Sequence, residues 1–399
     1  MIKLSDCVGR IKESPTLAIT AKAAQYKSEG KDIIGLAAGE PDFDTPQHIK
    51  DAAKKAIDNG FTKYTPVSGI PSLKKAIIDK FKRDNHLEYT PSEIIVGVGG
   101  KQCIFNFCLA VLNAGDEVII PAPFWVSYAD IALVSNAKPV IIECGIEQKF
   151  KMTAAQLEKA ITSKTKLLIL NSPSNPTGAV YTKEELKDLS EVLMKHPSIL
   201  IGTDDMYEHV KLKDIPFYNI LNVEPKLKDR CVVMNGVSKA YSMTGWRIGF
   251  AAGPSDIIKA MEILQSQSTS NPTSISQVAA EAALSGDQTC MEPMIKAFRE
   301  RHAYVVKSFN ETPGLSCIEA QGAFYAFPDA RKAIERLYAQ KILKEKTDLA
   351  LADYLLEKEG VAVVPGSAFG SDGYFRISFA TSMENLVEAM KRIKRALSV

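Results

Sequence analysis

Five short apolar runs, separated by longer stretches that include helical segments, constrain this fold more than any other feature. Ile94–Val98, Glu117–Ile120, Leu167–Leu170, Ile199–Thr203 and Cys231–Asn235 read as strands. Gln102–Leu112 and Lys183–Met194 carry the three-to-four-residue apolar spacing of helices between several of them. A strand that is apolar throughout, rather than alternating, is covered on both faces. Strand–helix–strand repetition of this kind predicts an α/β fold with a mixed, mostly parallel central sheet flanked by helices. The helix after Thr182 has Glu184 and Glu185 in its first turn, where acidic side chains favour the positive end of the helix dipole.

The C-terminal third changes pattern. A helical stretch over Gln288–Phe309 precedes shorter strands at Ala323–Phe327, Val361–Val364 and Tyr374–Phe379, with helices at Asp348–Lys358 and Met383–Leu397. This predicts a smaller α+β domain hung on a long connecting helix. The opening segment holds one helix, Leu17–Ser28, and Pro-rich turns, and is expected to pack with the C-terminal part. The division predicted is a large domain over residues 46–290 and a small domain built from 1–45 and 291–399. A chain of 399 residues has room for two or three domains of about 100–200 residues each.

Charge narrows the function classes. Lys and Arg number 49 against 47 Asp and Glu, a net charge of +2, without the basic surplus of a nucleic-acid protein. The seven cysteines are odd in number, widely spaced and lack a CxxC pair, which argues against a disulfide framework or a zinc site and for a reducing compartment. The opening residues lack the apolar core of a signal peptide, and no window reaches the about 18 apolar residues of a membrane span. A cytoplasmic protein is expected.

Five segments carry candidate chemistry. Gly97-Val98-Gly99-Gly100-Lys101 joins an apolar run to a helix, where backbone N–H groups and the helix dipole suit an anion such as phosphate. It matches neither GxGxxG nor GxxxxGK[ST], so an ordinary strand-to-helix turn fits equally well. Asn171-Ser172-Pro173-Ser174-Asn175-Pro176-Thr177-Gly178 follows a strand directly, and the loops beyond the carboxyl ends of parallel strands are where open α/β sheets bind ligands. Asp204, at the end of another buried strand, needs a cation or several donors, or else caps a helix; a turn of following helix would bring Tyr207 to the same side.

The fourth segment, Ser238-Lys239-Ala240-Tyr241-Ser242-Met243-Thr244-Gly245-Trp246-Arg247-Ile248-Gly249, says most. A lysine among small and apolar residues loses solvation, its pKa falls, and it becomes an amine nucleophile for a carbonyl carbon. The alternative is a surface lysine with its ammonium in water. Arg247, eight residues on, suits an anion, and phosphate is a natural bidentate partner. In the fifth segment Arg376 interrupts the apolar strand Phe375-Arg376-Ile377-Ser378-Phe379, which fits a substrate carboxylate or a structural glutamate across the sheet.

NxxxNPTG, then xDxxYE, then SKxxxxxGxRxG, then FRISFA, in that order and at these intervals, resemble the class I aminotransferases of fold type I, which use pyridoxal 5′-phosphate. The resemblance spans essentially the whole chain and includes Leu36-Ala37-Ala38-Gly39-Glu40-Pro41-Asp42-Phe43 and Lys63-Tyr64-Thr65-Pro66. AGEPDFDTP, VGGKQ, PFWVSY and KAYSMTGWRIG resemble the bacterial subgroup Ib of aspartate aminotransferases, some of which also act on prephenate. The resemblance implies the fold of the pyridoxal-phosphate-dependent transferases and a role for each matching residue. Lys239 would form the Schiff base and then shuttle a proton. Asp204 would keep the pyridinium nitrogen protonated. Tyr207 and Asn175 would hydrogen-bond the ring oxygen, lowering the pKa of the lysine-bound nitrogen, and Trp125 would stack on the ring. Gly100, Lys101, Ser238 and Arg247 would surround the phosphate, with Tyr64 arriving from the neighbouring subunit of a homodimer with shared sites. Arg376 and the backbone at Gly39 would hold the α-carboxylate.

The departures bear on specificity. Where one branch of the family has an arginine for the distal carboxylate, this chain has Ser266, ahead of Gln267-Ser268-Thr269-Ser270-Asn271-Pro272. In the Ib pattern Lys101 and Ser14 take that task, so Lys101 has two competing assignments. Lys12 is a position linked with prephenate use. The expected reaction is amino transfer between L-aspartate and 2-oxoglutarate, giving oxaloacetate and L-glutamate, with arogenate-forming prephenate amination, alone or alongside it, as the alternative. The expected partners are amino acids and 2-oxo acids, with no nucleic acid, membrane or metal. A pyridoxal-phosphate-sensing transcription regulator would need a winged-helix domain of about 60–70 residues ahead of this fold, whose own first segment is expected to begin within about fifteen residues. A nicotinamide dehydrogenase would need the full glycine fingerprint and an acidic ribose ligand, and neither is present.

Overall fold

The computed structural model describes residues 2, 4–11 and 15–399, with residues 15–17 by backbone alone. Among these residues twelve strands form, in chain order β1 (Ile34–Gly35), β2 (Ile94–Val98), β3 (Glu117–Ala122), β4 (Lys138–Glu143), β5 (Thr165–Asn171), β6 (Leu200–Asp204), β7 (Cys231–Gly236), β8 (Ile248–Ala252), β9 (Tyr325–Ala326), β10 (Val361–Ala362), β11 (Val364–Pro365) and β12 (Phe375–Ser378). Seven of them make one sheet in the order β2-β8-β7-β6-β5-β3-β4. The pairs β3–β4, β3–β5, β5–β6 and β6–β7 are parallel, and β8 runs antiparallel to both its neighbours.

The uninterrupted apolar strands are covered on both faces, as their composition requires. In β5, Leu168 and Leu170 join one buried cluster while Leu167 and Ile169 join the cluster on the opposite side. The helix Lys183–Lys195 begins at Thr182 with a capping box: Thr182 accepts from the Glu185 N–H and Glu185 accepts from the Thr182 N–H.

Two strands of the large sheet escaped the sequence reading. In β4 only Ile142 is buried and both ends are charged, as befits an edge strand. β8 is rich in Gly and Ala, which carry little strand propensity, although all five of its residues are buried. The expected strand Val361–Val364 divides in two. β10 pairs in parallel with β1, so the N-terminal segment docks on the C-terminal part, whereas β11 pairs antiparallel with β12 and β12 with β9. The helical stretch expected from Gln288 starts as a 3-10 turn, Gln288–Met291, and becomes the helix Glu292–Asn310.

Candidate active site

One edge of the large sheet supplies most of a pocket of about 290 Å³. Gly100 and Lys101 follow β2, Trp125 and Tyr128 follow β3, and Asn171 and Asn175 stand at and beyond the end of β5. Asp204 ends β6, with Met206 and Tyr207 just after it, and Ser238 and Lys239 follow β7. Arg247 arrives at the same edge because β8 is antiparallel and starts there. Gly39, Tyr325 and Arg376 close the pocket from the segment after β1, from β9 and from β12.

The turn after β2 requires glycine. Gly99 has a φ of 80°, in the left-handed region, and a Cβ there would strike the Arg247 guanidinium. Backbone and guanidinium thus meet where the helix Gly100–Val111 begins, and the result is an anion cradle. Arg247 Nη1 donates to the Thr244 carbonyl at 2.9 Å. Lys101 sits with its ammonium 5.0 Å from the Trp125 ring centroid; burial, reinforced by Arg247, lowers its pKa.

Lys239 is withdrawn from water. Burial, with Arg247 and Arg376 adding to it and Glu40 and Asp204 opposing, brings its pKa down to about 8. Its Nζ donates to the Gly39 carbonyl at 2.7 Å. Asp204 is buried too, and burial raises its pKa although Tyr128, the Met206 N–H and Lys239 favour the charged form. Tyr128 donates to its Oδ2 at 2.6 Å and Met206 N to its Oδ1 at 3.2 Å. The expected helix after Asp204 is absent: residues 206–209 form a turn, so neither Asp204 nor Asp205 is a helix cap. That turn still brings Tyr207 into the pocket, where its hydroxyl meets that of Tyr325 at 2.8 Å.

Side chains of the same turn that point away from the pocket enter a buried polar network. Asp205 accepts from Asn219 at 2.6 Å. Glu208 pairs with Lys80 and accepts from Asn85 at 2.6 Å and from Asn235 at 2.8 Å. His209 Nε2 lies 3.2 Å from Glu208 and 3.4 Å from Asp84. Glu208 therefore ties the turn that carries Tyr207, just after Asp204, to β7, which Lys239 follows.

Arg376 finds no glutamate. Its Nη1 donates to Asn175 Oδ1 at 3.0 Å and its Nη2 to the Ala37 carbonyl at 2.6 Å, while its buried Nε has no hydrogen-bond partner. A buried guanidinium with a free donor in a cleft is prepared for a carboxylate. Ser266 ends a helix away from the pocket, with its hydroxyl donating to the Ile263 carbonyl at 2.7 Å.

Of the sequence-predicted residues, Gly39, Gly100, Lys101, Trp125, Asn175, Asp204, Tyr207, Ser238, Lys239, Arg247 and Arg376 all line this pocket. Tyr64 does not: its side chain is 93% exposed. Lys12 and Ser14 lie outside the described residues. Sequence reasoning missed Asn171, Tyr128 and Tyr325. Asn171 heads the loop already singled out, and Tyr128 stands three residues after Trp125 at the start of the helix Ser127–Val134. Tyr325 left no local signal. Together these groups offer an amine that is easily deprotonated, a buried carboxylate, an anion cradle and a carboxylate fork around one cavity.

Residues 31–393 match the family model described as aminotransferase class I and II. An aspartate/prephenate aminotransferase from Nitrosomonas europaea is 63% identical over 397 residues, which is 100% of each chain. The relative of the same name from Cereibacter sphaeroides is 54% identical over 99% of this chain and 98% of its own. Among solved structures, the aspartate aminotransferase from Rhizobium meliloti superposes with a TM-score of 0.94 at 47% identity, covering 100% of this chain and 99% of that one. The aspartate aminotransferase from Thermus thermophilus solved with maleate gives 0.92 at 40% identity, over 99% and 100%.

Proposed function

We propose, for a chain that belongs to the class I and II aminotransferase family, that the reaction is amino transfer between L-aspartate and 2-oxoglutarate with pyridoxal 5′-phosphate as cofactor. The observation that carries this reading is the convergence of Lys239, Asp204, the Gly99–Arg247 cradle and the partly unpaired Arg376 on one pocket.

The residues fit the cofactor. Gly99 leaves open the space that a side chain would fill beside Arg247, and Gly100, Ser238 and Arg247 would hold the phosphate. Asp204 would hold the ring nitrogen in its protonated form, and the cation there would return its carboxyl to the ionised state that burial alone disfavours. Trp125 would cover the ring face, and Tyr207 and Asn175 would meet the ring oxygen. When bound, the group supplies a ring that stabilises negative charge at the substrate Cα. Lys239 would provide the amine that holds the cofactor's aldehyde and would carry the proton at Cα, a task suited to a pKa near the working pH. Arg376, with Asn175 and the backbone at Gly39, orients the α-carboxylate. Lys101, with Ser14, would read the distal carboxylate in place of the arginine that Ser266 replaces.

We infer a homodimer in which the exposed Tyr64 would reach the phosphate site of the neighbouring subunit. The seven free cysteines suit a reducing compartment, and we propose that the enzyme works in the cytoplasm; separately, no helix among the described residues is long and apolar enough to cross a membrane. A second reading has one specific support, the aspartate/prephenate names of the relatives at 63% and 54% identity: the enzyme also aminates prephenate. An absorbance spectrum of the purified protein tests the main reading. A visible band that shifts on adding aspartate is expected, and its absence after incubation with pyridoxal phosphate overturns it. Prephenate assayed with aspartate or glutamate as donor decides the second reading.

A further inference from the structure

Tyr207 and Tyr325 share one hydrogen bond and two protons. Their hydroxyl oxygens are 2.8 Å apart, both residues are buried, and among the described residues neither hydroxyl has another hydrogen-bond partner. One proton lies between the oxygens. The other is free, and both side chains line the pocket. Which tyrosine donates therefore decides which one presents a proton to a ligand.

Their surroundings differ. The Arg376 guanidinium stands over the Tyr325 ring, 4.5 Å from its centroid, and draws electron density from that phenol. Tyr207 packs edge-on to Phe324 and Tyr325; among the described residues no cation stands over its ring, and Arg376 favours loss of its proton while Asp204 disfavours it. Burial raises the pKa of both hydroxyls and Arg376 opposes it at both, but it is over the Tyr325 ring that the guanidinium stands. The stronger acid of such a pair is the donor. Tyr325 also fits closely against the backbone: a Cβ at Gly39 would lie 3.0 Å from its hydroxyl, so the small residue at Gly39 leaves that oxygen its position.

We propose that Tyr325 is a positioning residue that donates to Tyr207, so that the Tyr207 proton is directed to the ring oxygen of the bound cofactor. A chain of hydrogen bonds polarises along its length, so a Tyr207 that accepts from Tyr325 is a stronger donor at its other end. Stabilising negative charge on the ring oxygen makes the neighbouring Lys239 nitrogen easier to deprotonate. The charged and titratable groups facing that nitrogen are Glu40, Arg247, Arg376 and Asp204, and a substitution at Tyr325 leaves all four in place. This inference rests on the functional reading above.

The test is a pH titration of the visible absorption band of the pyridoxal-phosphate-loaded protein without substrate, in the wild type, Tyr325→Phe, Tyr207→Phe and the double variant. Tyr325→Phe removes one oxygen and keeps the ring. Its midpoint should rise by about 0.5 pH unit, the scale of a modest loss of hydrogen-bond cooperativity. In the Tyr207→Phe background the same substitution should produce no further shift. A midpoint that is unchanged or falls overturns the proposal, since a fall means that Tyr207 was donating to Tyr325. A full shift in the Tyr207→Phe background also overturns it, because Tyr325 would then act without Tyr207. If the wild-type protein forms no titrating band, the functional reading itself fails; if the wild-type band titrates and Tyr325→Phe does not move it, only this inference fails.

Discussion

Lys239, half-buried, and Arg376, buried, are two cations with no carboxylate salt bridge among the described residues. Each donates to neutral oxygen, Lys239 to the Gly39 carbonyl and Arg376 to Asn175 and the Ala37 carbonyl. Such an arrangement costs stability unless a ligand completes it. Lys239→Ala should lose catalysis by many orders of magnitude, because both the amine and the proton carrier disappear. Borohydride reduction and mass mapping of the wild type should label Lys239, and a label on another lysine would sink the assignment. Uptake of pyridoxal phosphate by the cofactor-free protein needs the neutral amine. Its rate should therefore rise with pH and level off above about 8, followed by stopped-flow absorbance. Arg376→Leu should impair every amino acid. Lys101→Ala should instead selectively weaken aspartate and glutamate against alanine or phenylalanine, by roughly 10- to 150-fold in kcat/KM for a charge-assisted contact of about 1.5–3 kcal/mol. Measured at saturating pyridoxal phosphate, an unchanged acidic-to-neutral ratio returns Lys101 to the phosphate.

At the level of elements, the segment after β6 does two jobs by sending its side chains to opposite sides. Asp204 and Tyr207 enter the pocket, while Asp205 and Glu208 anchor the turn behind it. Glu208 is held by Lys80, the last residue of the helix Pro71–Lys80, and by Asn85, which ends a π-helical turn. Lys80→Met leaves the buried Glu208 carboxylate with His209 as its one neighbouring cation among the described residues and should destabilise by about 3–5 kcal/mol in urea unfolding. The network also predicts a pH window. Burial opposes ionisation of Glu208 and Asp84, but Lys80 and His209 hold Glu208, and His209 and Arg83 hold Asp84, below the usual carboxylate range. Their contribution is complete above the unfolded values of about 4 and fades as pH falls through the folded ones. His209 is shifted up: burial lowers it, and Glu208 and Asp84 more than offset that. Its contribution is complete below about 6.5 and fades as pH rises through the folded value. His209→Gln should flatten the decline in urea midpoint above about pH 6.5; a variant with the wild-type alkaline slope would remove His209 from this account.

For the whole molecule, the position of Tyr64 makes assembly testable. A tyrosine 93% exposed on one chain, in a segment that matches the family's cross-subunit contact, predicts a two-fold dimer with shared sites. Mixing Tyr64→Phe with Lys239→Ala chains should yield hybrids in which one site is intact, with Lys239 from one chain and Tyr64 from the other, while the second site lacks both groups. Sedimentation that finds an active monomer at assay concentration would end the shared-site idea.

The sequence by itself determined the α/β class, the positions of five central strands and the order of the motifs, because each is a local property. A run that is apolar throughout states that both its faces are covered, whereas a lysine among small residues still left a surface position open. The tertiary structure decided which groups meet. Tyr207 and Tyr325 touch across 118 positions, and Asn175 and Arg376 across 201. Those contacts depend on strand order, on β8 running antiparallel so that Arg247 reaches the Gly99 turn, and on β12 packing beside β9. No local pattern of residues encodes such neighbours: a buried tyrosine in a short strand reads as core until a second hydroxyl is found within hydrogen-bond distance.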